Sequence, residues 1–164
     1  MNEKIKELIG YIIVIIVVLL IKQFVVTPIR VNGNSMNNTL YNKDIMILDK
    51  ISYRFRKIKR FEIVVVKKNR EYLIKRVIGL PKDKVEYKDN KLYINDKEIK
   101  ENFDHKETSD YILPEVIPEN YYFVVGDNRP DSLDSRYIGL IKKDEILGKT
   151  NLVLFPFNRF GIKK

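Results

Sequence analysis

The longest uninterrupted apolar run covers residues 8–21, Leu-Ile-Gly-Tyr-Ile-Ile-Val-Ile-Ile-Val-Val-Leu-Leu-Ile, and carries no charge. As a helix rising ~1.5 Å per residue it reaches about 21 Å, short of the ~30 Å hydrocarbon core of a bilayer. Continuing through Lys22 and Gln23 to Val26 lengthens it, because a lysine near a helix end can bury its stem and hold its amine among headgroups. A cleavable targeting peptide needs small residues at a cleavage site, and no Ala-x-Ala-like site follows; the chain has no alanine at all. A buried core helix would be unusually free of polar positions. A membrane anchor over 8–26 is therefore the expectation. Charge does not orient it, since Lys4 and Lys6 precede the run and Lys22 and Arg30 follow it.

After Pro28 the pattern turns to short β-like runs. Residues 45–48 follow the turn residues 42–44. Residues 62–66 and 71–78 flank 67–70, a hairpin-like connection. Residues 85–87 and 91–94 meet through Asp89-Asn90, a second hairpin signal. Residues 121–125 and 151–155 read as the last clear strands, and 142–147 as one helical turn ending at Gly148. Residues 96–119 are polar, carry two prolines, and read as an insertion or an excursion from the sheet. Strands dominate and no long amphipathic helix appears, so the part beyond the anchor is expected to be mainly β.

Composition removes several chemistries. There is no cysteine, which excludes disulfides, thiol catalysis and thiolate metal sites, and a single histidine, His105, which excludes a multi-histidine metal centre. Net charge is +9 with acids and bases interspersed. This favours anionic surfaces such as lipid headgroups, with nucleic acid as the competing partner. The basic run 54–60 brings no nucleic-acid motif with it, and beside an anchor it reads as a solvated or lipid-facing edge. His105 reads as a solvated loop residue with no positioned partner.

Three stretches carry candidate chemistry. The first is the Gly/Asn-rich loop 31–40, with one serine, Ser35; on local composition it is a plain turn. The second is the run 71–78. Side chains alternate across a strand, so Leu73, Lys75 and Val77 share one face, and Ile74, Arg76 and Ile78 the other. Lys75 then lies between apolar neighbours. Desolvation disfavours its ammonium, and a neutral lysine amine can take a proton from a serine hydroxyl. An edge-strand lysine with its amine in water is the alternative. The third is the polar loop 126–139, where Asp134 and Arg136 can pair and Ser132 can hydrogen-bond a nearby amine.

In this order the stretches resemble the bacterial type I signal peptidases, membrane-anchored serine proteases with a Ser–Lys dyad. Gly33, Ser35, Met36, Thr39 and Leu40 match the motif Gly-x-Ser-Met-x-Pro-Thr-Leu. Residues 75–83 match Lys-Arg-x-x-Gly-x-Pro-Gly-Asp, and 126–136 match Gly-Asp-Asn-Arg-x-x-Ser-x-Asp-Ser-Arg. Asp44 with Lys50 resembles a shorter motif between the first two. Asn38 stands where the motif has proline, Lys82 where it has glycine, and Gly33 where some members have an oxyanion-binding serine.

The resemblance implies Ser35 as nucleophile, with its backbone N–H as an oxyanion donor, and Lys75 as general base. It implies that Ser132 positions the Lys75 amine. Asp134 and Arg136, with Arg76, would hold the site together, with Asp127 and Arg129 structural. Ile29, Val31, Met36, Leu40 and Ile74 are the candidates for shallow apolar pockets. The implied fold is mainly β, two antiparallel sheets in one catalytic domain over 27–164, with 96–119 as the small insertion. Residues 1–7 would be cytoplasmic, 8–26 the transmembrane anchor, and the domain extracytoplasmic. Implied partners are the signal peptides of exported preproteins and membrane lipid, with no nucleic acid, no cofactor and no metal. A second reading is a catalytically silent anchored homologue that acts as an assembly or binding factor. A Ser–Lys autoprotease of the repressor type would carry a DNA-binding domain in place of the apolar run, and a Ser–His enzyme built on His105 would not need lysine at the matching base position.

Overall fold

The computed structural model describes residues 3–163. Helix α1 spans Glu3–Phe24, beginning earlier than the apolar run and ending before Val26. It stops there because the next residues pair as a strand: β1 (Val26–Arg30) runs antiparallel to β2 (Ile45–Asp49), with Val26 opposite Asp49. None of the α1 residues is buried by the rest of the chain. No helix among the described residues is long and apolar enough to cross a membrane.

The β runs form two antiparallel sheets. A four-residue helix α2 (Ser52–Phe55) follows β2. Then come β3 (Ile63–Lys68) and β4 (Glu71–Gly79), closed by Asn69 and Arg70 at φ 51° and 71°. Two successive positive φ values make a tight turn whose twist suits a hairpin. The same device, Asp89 and Asn90 at φ 49° and 61°, joins β5 (Val85–Lys88) to β6 (Lys91–Ile94). Residues 96–119 are not a bare excursion. They supply β7 (Lys97–Ile99) and β8 (Tyr111–Ile112), the two edges of a small sheet ordered β7-β6-β5-β8.

The large sheet is completed by β9 (Tyr121–Val125), β10 (Ile141–Lys142), β11 (Ile146–Phe155) and β12 (Gly161–Ile162), with a short helix α3 (Ser135–Ile138) after β9. Its order is β1-β2-β11-β3-β4-β9-β10, with β12 on β11. The helical turn expected over 142–147 shrinks to one 3-10 turn, Lys143–Glu145, and Gly148 lies inside β11. A Cβ at Gly148 would collide with the Asp49 carbonyl, so this glycine answers to a close backbone approach and not to a helix end.

Three apolar clusters hold the sheets. One lies between small and large sheets around Tyr87, Phe123 and Ile78. A second gathers Val64, Val66, Val77 and Val124. The third, Val31, Met36, Leu40, Met46, Ile63 and Val153, seats the loop that carries Ser35. The basic run 54–60 is largely tied to the fold: Arg56 pairs with Glu62 at 2.8 Å, Arg60 with Asp83 at 3.0 Å, and Ile58 is buried.

Candidate active site

The Ser35 loop is pinned from below. Met36 and Leu40 are 2% and 0% exposed, and burial of side chains of this size contributes about 1.5–3 kcal/mol each. Between them the backbone makes one helical turn, with the Leu40 N–H donating to the Met36 carbonyl at 2.8 Å. Gly33, at φ 98°, lets the chain enter that turn. A turn is what local composition indicated; the anchors make it a rigid one and leave Ser35 half-buried at the cleft.

Lys75 comes from β4, opposite Val64 of β3, and its Nζ lies 2.6 Å from Ser35 Oγ. Its alternate neighbours Leu73 and Val77 both pack with the second cluster, as the alternation implied. Lys75 is only 2% exposed. Burial pulls its pKa down to about 8; Asp134 and Asp127 pull back against that shift, and Arg136 adds to it. With that value about a tenth of the amine is unprotonated at pH 7, against well under a thousandth for an ordinary lysine, and it lies in contact with a serine hydroxyl.

The third stretch closes the site from the other side. Asp134 caps α3 and accepts from the Gly126 N–H at 3.0 Å and from Arg136 Nε at 2.8 Å. Arg136 also donates to the Arg129 carbonyl at 2.7 Å. The expected contact from Ser132 to the Lys75 amine is not formed. Ser132 Oγ is buried without a hydrogen-bond partner, packed at Gly126 so closely that a Cβ there would collide with it and with the Ser35 carbonyl oxygen.

Arg76 does not join Asp134. Lying on the opposite face of β4 from Lys75, it meets Asp127 through Nε at 2.8 Å and a second nitrogen at 2.6 Å, and its guanidinium stacks 3.9 Å from the Phe103 ring. Arg129 reaches Glu101 at 2.6 Å and Thr108 at 2.5 Å, tying the loop to the small-sheet segment. His105 is not simply solvated: it packs 5.5 Å from Phe103 and 3.6 Å from the Glu101 carboxylate.

Two connecting residues lie inside the matched motifs, yet their sequence context alone assigns them no role. Thr39 donates its hydroxyl to Asp127 at 2.6 Å, and Asn128 donates to the carbonyls of Ser35 and Asn34. Their motif positions are the signal the sequence offers; the partners are about 90 residues away along the chain.

The cleft above Ser35 and Lys75 has a volume of about 1010 Å³. Of the candidate pocket residues Ile29, Val31, Met36 and Ile74 line it, together with Leu48, Leu73 and Leu147. Leu40 does not line it. It points into the third cluster and serves as floor, fully buried.

A family model described as signal peptidase, peptidase S26, matches residues 5–155. The chain is 37% identical to signal peptidase I of Bacillus caldolyticus, over 92% of this chain and 91% of that one. It is 39% identical to signal peptidase IB of Staphylococcus aureus, over 94% and 93%. A crystal structure of a signal peptidase I from Enterococcus faecalis is similar at a TM-score of 0.51 and 36% identity, covering 57% of this chain and 97% of that one. Since the matched span takes in the Ser35 loop, the Lys75 strand and the loop of Asp134 that the fold brings together, the chain belongs to the signal peptidase family, peptidase S26, and is a serine endopeptidase.

Proposed function

We propose that this chain cuts signal peptides from exported preproteins, with Ser35 as nucleophile and Lys75 as general base. The observation that carries the reading is the 2.6 Å approach of Lys75 Nζ to Ser35 Oγ in a setting that favours the neutral amine. As Oγ attacks the scissile carbonyl, its proton passes to Lys75. The resulting ammonium then protonates the leaving amine, and water releases the acyl group with Lys75 again as base. The Ser35 N–H serves the oxyanion, and Gly33 adds no side-chain donor. Asp134 and Arg136 brace the loop behind Lys75, while Arg76 acts through Asp127. Ser132, whose buried Oγ lies beside Gly126 and the Ser35 carbonyl without a hydrogen-bond partner, is the residue left to position the Lys75 amine.

Two open strand edges support an extended substrate. Among the described residues β1 pairs only with β2, and residues 71–75 of β4 pair only with β3. A peptide laid between them finds unpaired backbone groups on both sides. Ile29, Val31, Met36 and Ile74 then form shallow apolar surfaces for small side chains at the first and third positions before the cut.

The same reading makes α1 a single-pass anchor, with residues 27–164 on the extracytoplasmic face of the cell membrane. Its uncharged run is short for a bilayer, but the whole helix of 22 residues is about 33 Å long. Its charges sit near the ends, where Lys22 can reach headgroups. The test is cleavage of a preprotein in detergent by the wild type, Ser35→Ala and Lys75→Ala chains. Loss of cleavage in both variants is expected; persistence in either removes the dyad.

A further inference from the structure

Thr27 and Lys50 line two cavities at once. One is the cleft of Ser35 and Lys75. The other, about 610 Å³, is a groove on the last turns of α1 walled by Ile16, Leu19 and Leu20. The two meet where β1 leaves the helix, and that joint is well tied. Thr27 donates its hydroxyl to the Lys22 carbonyl at 2.8 Å, Lys50 Nζ donates to the Gln23 carbonyl at 3.1 Å, and the Lys50 N–H donates to the Val25 carbonyl at 2.9 Å. From Val31 back to Thr27 is four strand residues, about 13 Å. A peptide lying along β1 with its scissile carbonyl at Ser35 therefore reaches Thr27 after about four residues. What it meets there is the half-exposed apolar wall of Ile16, Leu19 and Leu20.

We propose that this groove is a second substrate-binding site, taking the apolar segment that precedes the residues cut and packing it along the Ile16–Leu19–Leu20 face of α1. The proposal rests on the proteolytic and anchored readings above. Lipid tails are as apolar as these side chains, so burial from water does not by itself drive the contact. Tethering does: once the cleft holds the peptide, the attached apolar segment is held at high local concentration beside the groove, and close packing then selects it over lipid.

Leu20→Trp fills the groove and keeps the helix apolar. Val18→Trp is the control, because position 18 is about 200° round the helix from Ile16. Each full-length chain is assayed in lipid vesicles against two substrates with identical residues around the cut: a preprotein with its whole apolar segment, and a short peptide without it. Leu20→Trp is expected to lower kcat/KM for the preprotein, through KM, about ten-fold more than for the short peptide, with Val18→Trp changing neither. Three results overturn the proposal: an unchanged preprotein rate in Leu20→Trp, which would leave the groove to lipid, an equal fall for both substrates, or the same effect from Val18→Trp, which would make it a property of the whole helix and not of the groove. A wild-type chain that cuts neither substrate removes the proteolytic reading itself, and the groove site with it.

Discussion

The side-chain amide of Asn128 donates to the Asn34 carbonyl at 3.0 Å, while its backbone N–H donates to the Ser35 carbonyl at 3.0 Å. The first of these bonds acts on the oxyanion donor. The peptide unit that carries the Asn34 carbonyl also carries the Ser35 N–H, pointing the opposite way across a planar trans bond. Holding the oxygen therefore aims the N–H. Asn128→Ala keeps the backbone bond and loses the side-chain one, so kcat should fall by about ten-fold or more with KM little changed. Asn128→Asp places a carboxylate against a carbonyl and should fall further. Steady-state kinetics on a short peptide decide it; a rise in KM at constant kcat would mean that Asn128 serves binding instead.

Lys75 gives the pH dependence a sign. Its pKa of about 8 lies below the ordinary 10.5, and activity needs the neutral amine, so the rate should climb with pH and level off above about 8. Stability follows the same group. Between pH 8 and 10.5 the unfolded chain binds a proton that the folded chain does not, so stability rises across that window. Below pH 8 the folded chain buries a charge, at an expense of about 3 kcal/mol. Lys75→Met lacks this expense. Its stability relative to the wild type should be greatest near pH 6 and shrink by about that amount towards pH 11, as read by chemical denaturation in detergent. A difference that stays flat across pH would mean that Lys75 is not strongly shifted.

The legible parts of this chain are those written locally. Asn69-Arg70 and Asp89-Asn90 sit where two-residue turns must, and the alternation of residues 73–77 is enough to place the Lys75 amine among apolar side chains. The parts that escape a sequence reading depend on distant partners. The partner of Arg76 is Asp127, 51 residues on, and the acids of that loop are equivalent until the fold puts one on each face of β4. Leu40 is one apolar loop residue among several, and only the presence of Met46 and Val153 beneath it makes it floor instead of wall. Gly148 has the look of a helix end, and its actual reason, the Asp49 backbone, is about 100 residues away in the chain.

The buried trio of Arg76, Asp127 and Thr39 predicts non-additive stability. Arg76 and Asp127 are 1% and 0% exposed and share two charge-assisted bonds. Removing one partner of such a pair costs about 3–5 kcal/mol, whereas replacing both with apolar residues of similar volume often costs far less. Asp127→Leu and Arg76→Met should each lower the thermal midpoint strongly, and the double variant should recover a large part of the loss. A double variant at the sum of the two single losses would show that Arg76 and Asp127 are not energetically coupled.

Lys82 and Asn38, the two departures from the family motifs, both have positive φ, at 73° and 88°. At Lys82 the motif residue is glycine, which takes that conformation freely. A lysine there is strained by about 1 kcal/mol, and its ion pair with Glu119, at 78% and 66% exposure, offsets little of it. Lys82→Gly should therefore stabilise the protein by up to about 1 kcal/mol without changing kcat. Asn38 is the reverse case. The motif residue is proline, whose ring holds φ near −65°, so the backbone here has moved to a conformation that proline cannot adopt. Asparagine tolerates it. Asn38→Pro should then destabilise the Ser35 loop and lower kcat, while Asn38→Gly keeps both. An Asn38→Pro chain as active and as stable as the wild type would show instead that position 38 takes a negative φ, as in the motif.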